Sequence, residues 1–397
     1  MTSLESPLDR RRGKMILADG ARFDGYLTGS ADLPVLGEVV FNTSMTGYQE
    51  IITDPSYAGQ ILVMTYPQIG NYGVCPADNE RNTCAARALV VRELSPFFSP
   101  GHDRISLEEF MVTRGLPGLT GVDTRALTKH IRSRGAVMAA IGGESHSEQE
   151  LKALANSQSF SRGQSLVESV TGSLSGVREA TKRRRAAVVD LGVKQSILDQ
   201  VHALGVSTRI FHARSLAGEI LEGGFDFVVL SNGPGDPTDV PRVIEQVQQL
   251  IGKIPILGIC LGHQITALAM GGSTFKLKFG HHGANQPVVD RRTGRVFITS
   301  QNHGYAVADD IGDRPGVDVT FSNASDGTLE GFADDNLMVE CVQFHPEAAP
   351  GPRDTSFVFR SFLDRVREAH EINGVKGWCD DATIEAPDTV SELASGF

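Results

Sequence analysis

The sequence lacks the features that mark membrane proteins, disulfide-rich proteins and nucleic-acid-binding proteins. No apolar run in its 397 residues approaches the ~20 residues that a membrane-spanning helix needs. The formal net charge of −11 argues against nucleic acid or an anionic membrane as the main partner. The five cysteines are odd in number and irregularly spaced, so they form neither a disulfide framework nor a zinc pattern. Residues 1–13 resemble neither a signal nor a transit peptide, and we expect a cytoplasmic protein.

Length and composition predict an ordinary globular protein with more than one domain. Hydrophobic residues make up 40% and charged residues 21% of the chain, and 397 residues exceed what one small core organises. The first region contains no phosphate-binding loop and no repeat. We predict a polar leader over 1–13, an N-terminal domain over 14–150, a linker over 151–185, a second domain over 186–374 and a polar tail over 375–397.

The N-terminal domain has the pattern of a mixed α+β fold. Two strand patterns flank the turn at Asp19, and a polar, turn-rich connection is predicted over 42–59. A helix capped by Asp123 is predicted to end at Gly135. The predicted strands are 14–18, 22–27, 37–41, 60–65 and 136–141, and the predicted helices are 104–114 and 124–134.

The second domain alternates buried-type strands with helical periodicity, which predicts an α/β fold built on a doubly wound, mostly parallel sheet. The predicted strands are 186–190, 206–211, 227–230 and 254–257, followed by antiparallel strands around 301–305 and a last helix over 353–369. Ligands on such sheets bind at the carboxyl ends of the strands. The loops that follow these strands are therefore the candidate site.

Residues 254–264 have the pattern of a buried strand, a tight turn and a helix. Gly258 and Gly262 bracket Cys260, as glycines bracket the nucleophile in the G-x-S-x-G turn, where the bend lifts it above the sheet. The dipole of the following helix favours a thiolate. A free cysteine is usually an inert core residue, but this frame indicates a nucleophile, provided that a base accompanies it.

His345 and Glu347 supply a base and its orienting group. In an extended segment residues i and i+2 point the same way, and Pro346 is predicted to hold this segment extended. An isolated H-P-E would be an incidental strand end, whereas beside the cysteine turn it indicates a catalytic pair. The backbone N–H of Leu261 and a glycine N–H of the loop at 231–236 are the candidate donors to an oxyanion, although such a loop is also typical of a plain turn.

The remaining histidines are interpreted as structural. His281 and His282 are neighbours in an extended chain and point to opposite faces, and no Asp, Glu or Cys ligand set accompanies them in the sequence, so no metal site is predicted. His303 is predicted to shape its loop rather than act as a base. Cys341 alternates with buried neighbours and is predicted to lie in the core.

Three motifs of the second domain, G-I-C-L-G-H-Q, S-N-G-P-G-D and H-P-E, resemble the class I glutamine amidotransferase domain in order and spacing. Residues 41–50 and 65–71 resemble the amino-terminal domain of the small, glutamine-hydrolysing subunits of carbamoyl-phosphate synthetases, as do residues 190–194 and 276–283. The resemblance covers about 14–371. It implies an α/β protein in which an N-terminal α+β domain precedes an amidotransferase domain.

The resemblance also implies the roles of individual residues. Cys260 would attack the glutamine amide, and His345, oriented by Glu347, would protonate ammonia and then activate water. The amides of Leu261 and Gly233 would stabilise the oxyanion. The implied contacts to L-glutamine are Ser44, Gly233, Gly235, Leu261, Gln264, Asn302, Gly304 and Tyr305.

A separate synthetase large subunit is the partner that the resemblance implies. That partner would use ammonia, bicarbonate and ATP with Mg to make carbamoyl phosphate for arginine and pyrimidine synthesis, and this chain would need no cofactor of its own. One alternative is the glutaminase subunit of another amidotransferase, against which the domain with Ser44 argues. Another is a catalytically silent regulatory subunit, against which the intact Cys260, His345 and Glu347 argue.

Overall fold

A computed structural model describes most of the chain. The described residues are 11–30, 33–99, 103–157, 166–172, 174, 176–180 and 184–372. The predicted leader up to residue 10 and the predicted tail over 375–397 lie outside them. Among the described residues, no helix combines the length and the apolar character needed to cross a bilayer.

The N-terminal part contains nine strands and four helices among its described residues. The strands are β1 (Arg12–Leu17), β2 (Arg22–Gly29), β3 (Val35–Asn42), β4 (Gln60–Met64), β5 (Gln68–Ile69), β6 (Ala88–Val90), β7 (Glu93–Leu94), β8 (Pro117–Thr120) and β9 (Val137–Gly143). The helices are α1 (Tyr48–Thr53), α2 (Leu107–Thr113), α3 (Thr124–Arg134) and α4 (Glu148–Ala155).

Seven of these strands close into a barrel in the order β1-β2-β8-β6-β4-β3-β9. Side chains alternate across each strand, so successive residues serve two different cores. Val39 and Ile61 fill the barrel interior, whereas Val40 and Leu62 point outward and pack with Ile52 of α1 and with α2. The fold therefore buries both faces of β3 and β4, and β3 leads into the segment that carries Ser44.

The elements of the second part begin within the predicted linker, with α5 and β10. Its helices are α5 (Leu166–Val170), α6 (Gln195–Ala203), α7 (Ala217–Glu222), α8 (Pro241–Leu250), α9 (Leu261–Ala269) and α10 (Phe357–Ile372). Its strands are β10 (Val177–Arg178), β11 (Arg185–Asp190), β12 (Ser207–His212), β13 (Phe227–Leu230), β14 (Ile256–Ile259), β15 (Thr274–Asp290), β16 (Val296–Val307), β17 (Val317–Asn323), β18 (Leu329–Asp334) and β19 (Val339–Val342).

These strands form one ten-stranded sheet in the order β10-β12-β11-β13-β14-β19-β18-β16-β15-β17. The five strands from β12 to β19 pair in parallel. Ala187 and Val189 pack under α7, α8 and α9 on one face, and Ala186 and Val188 pack under α6 and α10 on the other. The predicted α/β class and the doubly wound sheet are confirmed.

Several predicted boundaries differ from the structure. The connection over 42–59, predicted as turns, contains α1. The helix predicted from 104 begins at Leu107, because the side chain of Ser106 accepts the N–H of Glu109 and caps it there. The last helix, predicted from 353, begins at Phe357, and the N–H of Ser356 instead closes a turn onto the carbonyl of Arg353.

The predicted linker over 151–185 contains ordered secondary structure in its described residues. Helix α4 runs across residue 150 and packs on the barrel, where Leu151 and Ala155 meet Ile16 and Ala140. Strand β10 pairs antiparallel with β12 at the edge of the large sheet.

Buried polar contacts join the two parts of the molecule. The Arg81 guanidinium, after β5, donates to Asp190 Oδ1 at 2.7 Å and to the carbonyl of Val193 at 2.6 Å. On the other side of the junction, the N–H of Thr43 donates to the carbonyl of His282 at 3.1 Å. These contacts hold Arg81 against the carboxyl end of β11 and the segment after β3 against β15.

Candidate active site

Cys260 lies at a strained backbone bend between β14 and α9. Its φ of 54° and ψ of −101° are rare for a residue with a side chain. The bend needs glycine beside it, because a Cβ at Gly262 would lie 2.2 Å from the carbonyl oxygen of Leu230 and one at Gly258 would lie 2.8 Å from Cys341 Sγ. Cys260 is 1% exposed, and its sulfur lies 3.7 Å from the Asn302 carbonyl oxygen. The bend thus presents the thiol at the sheet edge.

His345 and Glu347 form a buried pair just after β19. Their side chains meet through Nδ1 and Oε1 at 2.7 Å, and the N–H of His345 donates to the Ser300 carbonyl at 2.8 Å. The prediction that Pro346 holds this segment extended is wrong. The N–H of Ala348 donates to the His345 carbonyl at 3.3 Å, so the segment is a turn that folds the carboxylate back onto the imidazole.

The environment of His345 favours its protonated form. Burial opposes the charge, but the Glu347 carboxylate and the Cys260 sulfur outweigh burial and raise the pKa of His345 well above its ordinary value. Burial would raise the pKa of Glu347, but the positive charges of Lys194 and His345 outweigh burial, so the pKa of Glu347 is lowered. His345 Nε2 is buried and hydrogen-bonds to no described atom. The His345 ring interacts with the Cys260 sulfur. Its Nε2 is therefore the nitrogen available for proton transfer.

Lys194 completes an array of charged side chains with Glu347 and His345. It is not among the predicted site residues. Its ammonium is 2% exposed and donates to Glu347 Oε1 at 2.8 Å and to the Ala349 carbonyl. Glu80 of the N-terminal part lies 3.7 Å from the same ammonium. The cation therefore keeps Glu347 ionised and fixes the turn that carries His345.

The two residues that carry the predicted oxyanion donors, Gly233 and Leu261, are in contact. A Cβ at Gly233 would lie 2.2 Å from the Leu191 carbonyl oxygen and 2.8 Å from Leu261 Cδ2, so the backbone at 233 is in close contact with Leu261. Leu261 is the first residue of α9, whose N-terminal amides carry partial positive charge. The role of these two N–H groups as oxyanion donors stays a prediction.

A cavity of about 1460 Å³ opens in front of Cys260. The predicted glutamine contacts that line it, together with Cys260, are Gly233, Gly235, Gln264, Asn302, Gly304 and Tyr305. The predicted residues that do not line it are Ser44, Leu261, His345 and Glu347. Gln264 is held by bonds from Nε2 to the Tyr305 carbonyl at 2.8 Å and to Gln343 Oε1 at 3.0 Å.

Ser44 lies at the junction of the two parts rather than on the cavity wall. It is 3% exposed, and its hydroxyl oxygen accepts the N–H of Ala284 in β15 at 2.9 Å. Its own N–H donates to Asn42 Oδ1 at 2.8 Å. Its predicted contact with glutamine requires the hydroxyl hydrogen to point into the site, and that contact stays a prediction.

The interpretation of His281 as lacking acidic neighbours is wrong. Its Nε2 meets Asp326 Oδ2 at 2.9 Å, and its Nδ1 lies 3.4 Å from Glu330 Oε1. Burial disfavours the charge, yet the two carboxylates raise the pKa of His281. His303 bonds through Nδ1 to the Tyr305 carbonyl and through Nε2 to Gln301.

Single ligand atoms of His281, His303 and Glu330 all lie within 4.8 Å of one another, a grouping that could hold a metal ion. Sequence could not reveal it, because the three residues lie in three different strands, β15, β16 and β18. Hydrogen bonds within the protein already engage both ring nitrogens of each histidine. We therefore interpret the cluster as a polar support for the part of β16 at 302–305.

Comparison with known proteins agrees with this geometry. The family described as "Glutamine amidotransferase class-I" matches residues 187–365. A glutamine amidotransferase of Thermotoga maritima with a solved structure covers 48% of this chain and 83% of its own, at 20% identity and a TM-score of 0.34. The family match identifies residues 187–365 as a class I glutamine amidotransferase domain.

The N-terminal part narrows the class to one family. The family described as "Carbamoyl-phosphate synthase small chain, CPSase domain" matches residues 15–141. The carbamoyl phosphate synthase small chain of Listeria monocytogenes serotype 4b is 44% identical over 357 residues, which are 90% of this chain and 97% of the relative. That of Symbiobacterium thermophilum is 46% identical over 359 residues, 88% of this chain and 97% of the relative. The chain belongs to the carbamoyl phosphate synthase small chains.

Proposed function

We propose that this chain hydrolyses L-glutamine to glutamate and ammonia as the glutaminase subunit of a carbamoyl-phosphate synthetase. The observation that carries the proposal is the Cys260 thiol at a strained bend, beside an imidazole whose other nitrogen is bonded to a buried carboxylate. Family membership supports the same activity, because relatives named carbamoyl phosphate synthase small chain align with this chain over 97% of their own length.

In the proposed reaction the thiol proton of Cys260 passes to His345 Nε2, and Sγ attacks the side-chain carbonyl carbon of glutamine. The N–H groups of Leu261 and Gly233 stabilise the oxyanion of the tetrahedral intermediate. His345 Nε2–H protonates the departing nitrogen, ammonia leaves, and a γ-glutamyl thioester remains on Cys260. Water then attacks the thioester carbonyl while His345 accepts its proton, which releases glutamate and restores the thiol.

The charge order of the site supports this sequence of proton transfers. The raised pKa of His345 means that its imidazolium is available as the acid when the sulfur attacks. Glu347 holds the ring by Nδ1 and compensates the charge of the imidazolium, while Lys194 compensates Glu347. The residues proposed to bind the glutamine are Ser44, Gly235, Gln264, Asn302, Gly304 and Tyr305.

The ammonia is proposed to pass to a large subunit that makes carbamoyl phosphate from bicarbonate and ATP. ATP and Mg would bind to that partner, and this chain would hold no cofactor. The product would feed arginine and pyrimidine synthesis in the cytoplasm. Two alternatives remain as outcomes of the test: a glutaminase subunit serving another synthase, and a regulatory subunit without activity.

A glutamine-analogue electrophile tests the catalytic roles directly. We expect one covalent adduct on the peptide containing Cys260 and release of glutamate from glutamine, with both lost in Cys260→Ser. Cys75→Ser is the matched control, because Cys75 is partly exposed and does not line the cavity, and it should leave both unchanged. Absence of adduct and of glutamate release would indicate the regulatory alternative. Stimulation by an anthranilate synthase component instead of a carbamoyl-phosphate synthetase large subunit would favour the other synthase.

A further inference from the structure

Asp54 is a buried carboxylate of the N-terminal part to which the mechanism above gives no role. It follows α1 and is 5% exposed. Its Oδ1 accepts the N–H of Ser56 at 2.9 Å and so caps the short 3-10 turn Pro55–Tyr57. Lys194 and Arg81 compensate its charge electrostatically.

The same carboxylate contacts both walls of the glutamine cavity. Asp54 Oδ2 accepts from Asn302 Nδ2 at 3.0 Å, and Oδ1 lies 3.4 Å from Asn232 Nδ2. Asn302 lines the cavity from β16, and Asn232 immediately precedes Gly233 in the loop after β13. One side chain of the barrel part thus bonds to two separate segments of the amidotransferase domain.

These bonds fix the orientation of Asn302. Its side-chain oxygen meets His282 Nδ1 at 2.8 Å, so its amide hydrogens face Asp54. The backbone oxygen of the same residue lies 3.7 Å from Cys260 Sγ. A carboxylate only accepts hydrogen bonds, and three donors converge on this one, so no neutral side chain of the same size serves all of them.

We propose that Asp54 is a positioning residue that aligns Asn302 and the loop carrying Gly233 around the bound glutamine. The glutamine site then depends on the N-terminal part of the chain through a direct polar contact. Asp54 touches neither the sulfur nor the imidazole in this arrangement, and its effect reaches the substrate through Asn302 and Asn232. The inference rests on the proposed glutaminase function.

The test compares Asp54→Asn with Asp290→Asn in the full-length chain. Asp54→Asn keeps the size but turns an NH2 group toward at least one of the three donors. Asp290 is a matched control, because it is 6% exposed, accepts the Arg292 N–H and the Thr293 hydroxyl, and does not line the cavity. Two quantities are measured: the glutamine KM, and the glutamine concentration that half protects Cys260 from iodoacetamide.

We expect both quantities to rise at least tenfold in Asp54→Asn and to change less than twofold in Asp290→Asn. In Asp54→Asn the alkylation rate of Cys260 without glutamine should stay within threefold of wild type. Adding Asp54→Asn to Asn302→Ala should then raise the half-protecting concentration by a smaller factor than adding it to wild type, since the bond to Asn302 is already absent and only the contact with Asn232 remains to be lost. Additive effects, or equal effects of the two aspartate variants, would overturn the proposal.

Ser56→Ala is a milder second variant in case Asp54→Asn does not fold. The Ser56 hydroxyl accepts from Asn232 Nδ2 at 2.9 Å, beside the Asp54 carboxylate. We expect kcat to fall about threefold, because the loop before Gly233 loosens, and an unchanged kcat would contradict this arm of the proposal. A wild-type chain that neither releases glutamate nor is alkylated at Cys260 would instead refute the proposed function itself.

Discussion

At the scale of single residues, buried charges of alternating sign run from Glu80 through Lys194 and Glu347 to His345. Each of these side chains is at most 3% exposed, so each charge depends on its neighbours for compensation. Removing one member of a buried ion pair leaves an uncompensated charge and costs about 3–5 kcal/mol. Lys194 is the member whose loss leaves two carboxylates without a cation.

Lys194→Met is therefore expected to lower the free energy of unfolding by about 3–5 kcal/mol. It should also lower glutaminase activity, because Glu347 loses the cation that keeps it ionised. Urea unfolding and glutamate release measure the two effects. Lys253→Met, at an exposed lysine, is the control and should change neither. A Lys194→Met protein as stable as this control would contradict the charge array.

The pH dependence of stability follows from the shifted pKa values. The raised pKa of His345 contributes stability that is fully present below its ordinary value of 6.5 and is lost as pH rises above it toward the folded value. The lowered pKa of Glu347 contributes stability that is present above its ordinary value of 4.5 and is lost as pH falls below it.

We expect the difference in unfolding free energy between wild type and His345→Gln to be largest near pH 6 and to shrink between pH 7 and pH 10. Denaturant unfolding at several pH values measures it. If His345 were neutral in the folded protein, the difference would not vary with pH over this range. That result would contradict the raised pKa of His345.

At the scale of elements, the bend between β14 and α9 depends on the absence of a side chain at Gly262. Because a Cβ there would meet the Leu230 carbonyl oxygen at 2.2 Å, α9 would have to move away from β13. We expect Gly262→Ala to destabilise the protein by at least about 3 kcal/mol and to slow the labelling of Cys260. Thermal unfolding and alkylation kinetics measure these effects.

Gly218→Ala is the matched control for that prediction. Gly218 is also a helical glycine, in α7, and a Cβ there meets nothing within 4 Å. Alanine is the better helix former, so this change should stabilise the protein by about 0.5–1 kcal/mol. If the two substitutions behaved alike, helix propensity rather than the bend would be the cause.

At the scale of the whole molecule, Arg81 links the barrel part to the amidotransferase domain. Its guanidinium bonds to Asp190 and to the Val193 carbonyl, just before Lys194. We expect Arg81→Gln to weaken the junction, so that scanning calorimetry resolves two unfolding transitions in place of one. Arg22→Gln removes an exposed arginine that pairs with Asp24 and should leave the transition unchanged. A single transition in Arg81→Gln would show that other contacts suffice.

The sequence predicted local structure well where one short segment decides it. The parallel strands were recognised because strands buried on both faces are continuous apolar runs, as in 227–230. The bend at Cys260 was recognised because two glycines frame it. Closure of the barrel was not predicted, since it depends on β1 pairing with β9, where Gly13 lies opposite Gly143.

The supporting residues of the site escaped the sequence analysis for the same reason. Lys194 precedes a helix and has the sequence pattern of a solvent-exposed lysine, yet its partner Glu347 lies 153 positions further along the chain. Asp54 has the sequence pattern of a turn residue before proline, although it contacts Asn302, 248 positions away. Nothing in the local pattern marks either one, because burial and pairing are properties of the packed domains.

The sequence by itself determined the strand–turn–helix frame of Cys260, the doubly wound sheet and the motifs that define the family, because short-range sterics and hydrophobic periodicity act within a few residues. Only the tertiary structure decided which charges surround His345, which barrel residue bonds to Asn302 and where Ser44 lies. Electrostatic and hydrogen-bonding energies depend on distance in space, and folding brings those groups together from distant parts of the chain.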